Sequence, residues 1–207
     1  MTAGRAHSEN VVWETEALTR DERESLLGKR GATVWFTGLP ASGKSTVARN
    51  LVVALAERQI DAYRLDGDNL RHGLCGDLGF DHASREENIR RAAEVARLMS
   101  DAGLVCVVSL VSPYRASREM VRCLHEDAGL PFVEVWVSTP LEECERRDPK
   151  GLYARARRGE VANMTGIDDP YEAPQAPEIE VTMDMGADAG VAAVLDVLAD
   201  RGVCTRS

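Results

Sequence analysis

The chain has no apolar run of membrane-span length, no C-x-x-C pair among its five cysteines, no excess of positive charge and no internal repeat or low-complexity tract. The first absence excludes a membrane-spanning helix. The lack of an apolar h-region near the start leads us to expect no secretory leader. Cys75, Cys106, Cys123, Cys144 and Cys204 are odd in number and several lie in apolar segments. Reduced thiols in a cytoplasmic protein are therefore expected, rather than disulfides or a zinc site. A formal charge of −9 and a pI near 5.0 exclude a general binder of nucleic acid or of membrane surfaces. Any cations that bind phosphate must then be concentrated in one place.

What is present is organised around Gly38-Leu39-Pro40-Ala41-Ser42-Gly43-Lys44-Ser45, followed by Thr46. It fits G-x-x-x-x-G-K-[ST], the phosphate-binding loop of nucleoside triphosphatases and small kinases. Gly38 and Gly43 let the backbone turn tightly with its N–H groups inward, an anion nest capped by a helix N-terminus. Lys44 can reach the β- and γ-phosphates of ATP, and the Ser45 hydroxyl can ligate Mg²⁺. The context is the one the motif needs. Ala32 to Thr37 reads as a buried strand, and Val47, Leu51, Ala54 and Leu55 form a helical stripe downstream.

At 207 residues the chain suits one domain with a sizeable core. Thr19-Arg20-Asp21-Glu22 is a capping box opening a short helix to Leu27, closed by Gly28, with Leu26 and Leu27 expected against the main domain. Ile60 to Leu65 is a second strand, delivering Asp66 and Asp68 to the crevice edge of a parallel sheet. A long helix is expected from Ser84 to Ala102, opened by a second capping box. The continuous apolar run Leu104 to Val111 marks a central strand buried on both faces. It delivers Ser112-Pro113-Tyr114-Arg115 to the same edge. A helix over 116–128 and a strand from Phe132 to Val137 follow. Thr139 then caps a helix with Pro140 at its first position. Residues 148–177 are a polar, charged excursion read as a lid. A last strand at Glu178 to Met183 and a helix from Asp188 to Asp200 close the chain. Strand and helix alternate throughout, so the expected fold is α/β, a three-layer, doubly wound and mainly parallel sheet.

Two further absences narrow the chemistry. No N-K-x-D segment of a guanine-specific switch is present, and the apolar strand ending at Val111 carries no acidic residue for a metal. The acid pair Asp66 and Asp68 stands after the second strand instead. There it can hold hydrated Mg²⁺ or accept a proton from an acceptor hydroxyl. Arg71, Arg85, Arg115 and Lys150 can surround an anionic acceptor, although any one of them could equally be a surface ion pair.

Beyond the loop stand the separate segments L-D-G-D-N-L-R-H-G-L (65–74), D-L-G-F (77–80), R-E-E-N-I-R-R (85–91), S-P-Y-R-A (112–116), D-P-K-G-L-Y (148–153) and T-G-I-D-D-P-Y-E-A-P (165–174). Together they make the chain resemble the adenylylsulfate kinase (APS kinase) family over about residues 10–182. The resemblance implies a P-loop kinase domain over 31–207, its lid at about 148–177, preceded by an N-terminal arm with a short helix over 1–30. It implies ATP-dependent phosphorylation of the 3′-hydroxyl of adenosine 5′-phosphosulfate, with Mg²⁺, in sulfate activation. Gly38 to Thr46 would hold the ATP phosphates and Arg147 would lie near the ATP adenine. Ser45 and Asp66 would serve the metal, and Asp68 would be the base beside Lys44. Arg71, Arg85, Asn88, Val111 and Ser112 would line the acceptor site. Phe80 would stack on the acceptor's adenine, with Lys150, Leu152 and Met164 closing from the lid. The family marks a serine at the position of Ser112 as a phosphoserine; a positioning hydroxyl is our reading, because in-line transfer needs no covalent stage. Family members commonly dimerise, and an arm around Trp13 could take part; a sulfurylase partner is the other association implied.

This sequence departs from the family where N-F-T-G is usual. Asn163-Met164-Thr165-Gly166 stands there, with Cys75, Ala154 and Ala162 at other altered positions. If Met164 covers the acceptor's adenine more loosely than phenylalanine would, Met164→Phe lowers the acceptor KM. Two alternatives to the leading reading stay open: a kinase for another nucleotide-like acceptor, and a nucleotide-binding partner module without turnover.

Overall fold

The structure, a computed structural model, describes Glu14 and residues 17–205; the Val11-Val12-Trp13 stretch of the arm lies outside them. Five parallel strands form one sheet in the order β2-β3-β1-β4-β5. They are β1 (Ala32–Thr37), β2 (Ala62–Asp66), β3 (Val105–Ser109), β4 (Phe132–Val137) and β5 (Ile179–Val181). The helices are α1 (Arg20–Leu27), α2 (Lys44–Glu57), the single turn α3 (Gly67–Leu70), α4 (His82–Asp101), α5 (Arg115–Asp127), α6 (Leu141–Arg147), α7 (Leu152–Arg157) and α8 (Gly186–Asp200).

Strand periodicity sorts the core into two layers. Val34 and Phe36 of β1, with Val105 and Val107 of β3, pack against Leu51 and Leu55 of α2 and Val194 and Leu198 of α8. The alternate residues, Trp35, Cys106 and Val108, face Ile89, Ala92, Ala93 and Ala96 of α4 and Val121 of α5. Successive residues of a strand point to opposite faces. A strand covered on both sides must therefore be apolar at nearly every position, which is why β1 and β3 are apolar but for Thr33, Thr37 and Ser109. Truncating one of these side chains, as in Leu51→Ala, should cost about 2–5 kcal/mol. The order reverses about β1, whose neighbours β3 and β4 lie on either side, and ligands of such sheets bind outside the strand ends at that reversal. The loops after β1, β2, β3 and β4 all meet there.

Several expected features shift. The Thr19 capping box forms and Gly28 closes α1 in the left-handed region. Leu26, however, is 71% exposed and Leu27 is 58% exposed. What docks α1 is its other face: Arg20 donates to the Ala128 carbonyl and Arg23 pairs with Asp101. The long helix starts two residues before Ser84, at His82, because Asp81 takes the cap and accepts from the Ser84 amide. Pro140 is the capping residue of α6 and not its first helical residue. Thr139 instead donates its hydroxyl to the Ser42 carbonyl, 2.8 Å away, joining the β4 loop to the phosphate loop. Residues 148–177 contain a helix, α7, and a bridge between Thr165 and Asp169, so the segment is built and not merely a long loop.

Candidate active site

The phosphate loop follows β1 directly. Gly38 has φ 147°, and a side chain there would put its Cβ 2.5 Å from the Val137 carbonyl oxygen, so glycine is required. Ala41 (φ 60°) and Gly43 (φ 105°) are also left-handed, and this alternation turns successive amides inward. The open amides at the start of α2 extend the nest. Lys44 is buried, and its Nζ donates to the carbonyls of Gly38 (2.8 Å) and Leu39 (2.6 Å) and to Ser42 Oγ (3.3 Å). Burial lowers its pKa to about 8 even though Asp66 and Asp68 pull the other way. The hydrogen-bond partners of this cation are all neutral oxygens.

Asp66 ends β2 beside the loop. Its Oδ2 accepts from Ser45 Oγ (3.1 Å), Ser109 Oγ (3.0 Å) and Arg64 (2.6 Å), and Oδ1 from the Asp68 amide (3.1 Å). Burial pushes the carboxyl up, but the Ser109 hydroxyl, the Arg64 charge, the Asp68 amide and Ser45 outweigh it, and the pKa falls below the usual carboxylate range. Asp66 is thus ionised at neutral pH. Its contact with Ser45 brings together two hard oxygen donors, which suits Mg²⁺. Among the described residues no cluster of three or more His, Cys, Asp or Glu could hold a metal alone. A magnesium ion here would complete its shell from phosphates and water, its ordinary habit. Asp68 is exposed one turn further on, and Lys150 reaches across from the lid segment to pair with it.

On the far side of the crevice, Asn88 of α4 is 3% exposed and its amide oxygen has no hydrogen-bond partner among the described residues. An orphaned buried acceptor costs about 1–3 kcal/mol, so it marks a place where a donor is missing. Phe80 is 60% exposed, with the Arg71 guanidinium 4.1 Å over its ring. The same guanidinium donates to the carbonyls of Leu78 (3.0 Å) and Gly79 (2.8 Å), fixing the loop that carries the ring. Arg85 donates to Phe80 O (2.8 Å), to Thr165 Oγ1 (2.6 Å) and to the Asn163 carbonyl, so it latches the lid segment to α4. Arg115 donates to the Ala173 carbonyl (3.2 Å). Arg147 pairs with Glu143 of its own helix (2.8 Å) and approaches Ser42 O (3.4 Å), beside the phosphate loop.

The lid segment has its own small core. Cys144, Tyr153, Ala156 and Met164 are buried together against Leu39, Ala41, Leu141 and Leu152, and Tyr153 donates its hydroxyl to the Pro40 carbonyl (3.0 Å). Met164 is only 6% exposed in this cluster. There its thioether fills the space between the lid segment and the phosphate loop, and the cover over the acceptor's adenine expected of it stays a proposal. Leu152 belongs to the same cluster. Ser112 is buried with φ 38°, a left-handed serine at the end of the β3 loop. Its Oγ accepts from the Trp35 indole (3.1 Å), and neither a carboxylate nor an imidazole bonds to it among the described residues. Val111 O accepts from Thr37 Oγ1 (2.8 Å), tying this loop to β1.

Sequence reasoning overlooked Arg64, Ser109, Trp35 and Arg118, which hold Asp66 and Ser112 in place. A signal existed for Arg64, which lies two residues before Asp66 on a strand and so shares its face. For Trp35 and Ser112, 77 residues apart, no local pattern exists.

A sheet with this order, a phosphate loop after its first strand and an ionised carboxylate beside the loop's serine define a nucleotide-binding protein of the P-loop class. The family model for adenylylsulphate kinase matches residues 30–182. The adenylyl-sulfate kinase of Citrobacter koseri is 55% identical over 193 residues, 93% of this chain and 94% of that one. The APS kinase of Mycobacterium tuberculosis, solved with AMPPNP and APS, superposes with a TM-score of 0.80 at 52% identity, covering 82% of this chain and 98% of that one. A hexameric APS kinase from Thiobacillus denitrificans is 32% identical with a TM-score of 0.64; the match covers 88% of this chain but 30% of that longer one. The chain belongs to the adenylylsulphate kinase family.

Proposed function

We propose that this chain transfers the γ-phosphoryl group of ATP to the 3′-hydroxyl of APS, giving PAPS and ADP, with the roles assigned as follows. The observation that carries the assignment is the convergence of Lys44, Ser45 and ionised Asp66 at the sheet edge. The triphosphate displaces the Gly38 and Leu39 carbonyls from Lys44, and the inward amides of residues 38–46 bind the phosphate oxygens. The exchange replaces neutral acceptors of the Lys44 ammonium by ionised ones, adding ion-pair attraction to bonds that already carry a charged donor. Ser45 and Asp66 would hold Mg²⁺, which supplies neutralisation of charge on the β- and γ-oxygens. Arg147 flanks the nucleotide on the outer side of the loop.

Across the crevice, Phe80 offers a flat apolar face to the acceptor's adenine, and Asn88 Oδ1 takes a donor from the acceptor. Arg71, Arg85 and Lys150 face the phosphosulfate, and Val111 and Ser112 line the floor. When the acceptor arrives, Lys150 exchanges Asp68 for an anionic oxygen and frees that carboxylate as the base. The 3′-oxygen forms its bond to phosphorus as the bridge to the β-phosphate breaks. The hydroxyl proton passes to Asp68, and ADP departs. Ser112 acts by its hydroxyl, with Trp35 occupying one lone pair. A covalent phosphoserine route predicts ATP–ADP isotope exchange without acceptor, and none is expected.

A homodimer is proposed for the assembly and a cytoplasmic location for the enzyme. Self-association of one relative supports the former, and free thiols at all five cysteines agree with the latter. An ATP sulfurylase partner is the proposed source of APS. The test of function is ADP release from Mg·ATP with and without APS, the product checked by mass. APS-dependent ADP and a PAPS mass are expected. ADP formation only with another nucleotide would redirect the acceptor assignment, and tight ATP binding without transfer to any acceptor would refute catalysis.

A further inference from the structure

Behind Ser112 lies a buried arginine that the reaction scheme leaves unused. Arg118, on α5, sits six residues after Ser112 and is sealed from solvent. Its Nε pairs with Glu134 of β4 (2.8 Å), Nη1 donates to the Ser112 carbonyl (2.7 Å), and Nη2 donates to the Glu172 carbonyl (2.5 Å). One planar group therefore joins three elements: the sheet, the β3 loop and the C-terminal arm of the lid segment. The arm is held to that loop, to the start of α5 and to the end of β1 at other points too. The Glu172 amide donates to Pro113 O (2.9 Å), Glu172 Oε2 accepts from the Arg115 amide (2.7 Å), and Tyr171 OH bonds Thr37 Oγ1 (3.0 Å).

Ser112 needs such support. It holds a left-handed backbone that non-glycine residues adopt at a cost, and such conformations persist only where the surroundings over-determine them. Arg118 fixes its carbonyl from below while Trp35 fixes its hydroxyl oxygen from β1. A hydroxyl has one proton and two lone pairs. With one lone pair taken by the indole, the proton is left to donate.

We propose that Arg118 is a positioning residue of the transfer reaction, holding the Ser112 turn and the arm of the lid segment in one register so that the Ser112 hydroxyl meets the acceptor. The proposal rests on the reading of Ser112 as an acceptor-side group. A lysine at 118 keeps a charge for Glu134, but as a point donor without the planar fork it cannot serve both carbonyls as well. Glu134 would keep Arg122 as a second partner at 3.3 Å.

The experiment uses the full-length enzyme with Arg118→Lys, Arg118→Met, Ser112→Ala and the two Arg118 variants combined with Ser112→Ala. It reads kcat/KM for APS, Kd for ATP, and melting temperature. Each Arg118 variant should lose at least tenfold in kcat/KM for APS while ATP affinity stays within twofold. In the Ser112→Ala background the further loss should be less than threefold, because the two residues act as one unit. A merely structural role would weaken ATP binding in step, or add in full to Ser112→Ala; either result overturns the proposal. Should Arg118→Met fail to fold, Arg118→Lys decides, and a folded Arg118→Lys with kcat/KM within twofold of the parent also overturns it. If Ser112→Ala alone behaves as the parent, the acceptor-side reading of Ser112 falls, and the proposal with it.

Discussion

The state of Lys44 makes ATP binding depend on pH in a calculable way. Burial lowers its pKa from about 10.5 to about 8 in the ligand-free protein. Between those values the folded chain binds fewer protons than the unfolded one, so the Lys44 contribution to stability improves as pH rises through that window. At pH 7 the buried charge costs the fold about 3 kcal/mol relative to an unperturbed lysine. A bound triphosphate supplies the opposite charge and raises the pKa again, so binding above pH 8 must take up a proton. Lys44 is about 90% charged at pH 7 and about 10% charged at pH 9, so Kd for ATP should rise about tenfold between them. That corresponds to about 1.4 kcal/mol. Calorimetric titrations at pH 9 in two buffers of different ionisation enthalpy should report uptake approaching one proton per ATP, falling to near zero at pH 7. Lys44→Arg stays cationic over this range, so its Kd, however weak, should be flat. A parent Kd that does not change between pH 7 and 9 would refute the argument that Lys44 is desolvated when free and recharged by the ligand.

Three other outcomes follow from packing. Met164→Phe forces a ring into a space already closed by Cys144, Tyr153 and Leu39. It should cost about 1–3 kcal/mol without lowering the KM for APS; a lower KM at an unchanged melting temperature would mean that the side chain swings out to the acceptor. His125 is fully buried, with Nδ1 2.8 Å from the Val121 carbonyl, which can only accept, so Nε2 must accept from Thr33. Burial holds its pKa below 6.5 against the pull of that carbonyl, so its share of stability is present above 6.5 and is lost as pH falls below it; urea melts in which the parent and His125→Leu lose stability equally from pH 7 to 5 would contradict this. Thr19→Ala removes the capping box of α1 and should destabilise that helix by about 1 kcal/mol. Because α1 buries no side chain fully, the effect should appear as faster hydrogen exchange in residues 20–27 and not as a large fall in melting temperature.

The elements legible from the sequence are those whose cause is local. β4 runs from Phe132 to Val137 as expected, since a strand covered on both faces is apolar at nearly every position, here all but Glu134. The phosphate loop was legible because its backbone needs glycine at fixed places. The start of α4 was misplaced because Asp81 and Ser84 are both good caps three residues apart, and the chain uses the earlier one. Leu26 and Leu27 were misjudged because apolar character says nothing about which face of α1 meets the domain; two arginines settle that. The site followed the same division. Lys44, Ser45 and Asp66 converge as their motifs suggested, whereas the packing of Met164 against Leu39 and the hold of Arg118 on Ser112 depend on segments brought together only by the fold.

The arrangement of the cations explains how a chain of net charge −9 can be suited to polyanions. Before any ligand arrives, each positive group in the crevice already has partners. Lys44 rests on two carbonyls, Arg71 on two more, Arg85 on carbonyls and a hydroxyl, and Lys150 on Asp68. Most of these partners are neutral. Neutral oxygens hold a cation in position without cancelling its charge, so the site is aligned in advance and still strongly attractive at short range. A carboxylate partner neutralises: Arg64 pairs with Asp66, Arg147 with Glu143, Arg85 stands 3.7 Å from Asp169, and Lys150 of the lid segment pairs with the candidate base Asp68. In the proposed mechanism the exchange that brings Lys150 to the acceptor would also uncover Asp68, so that occupancy of the acceptor site and activation of its hydroxyl would be a single event. Lys150→Met separates the two: it should leave ATP affinity within twofold while raising the KM for APS, and an unchanged KM would refute the exchange.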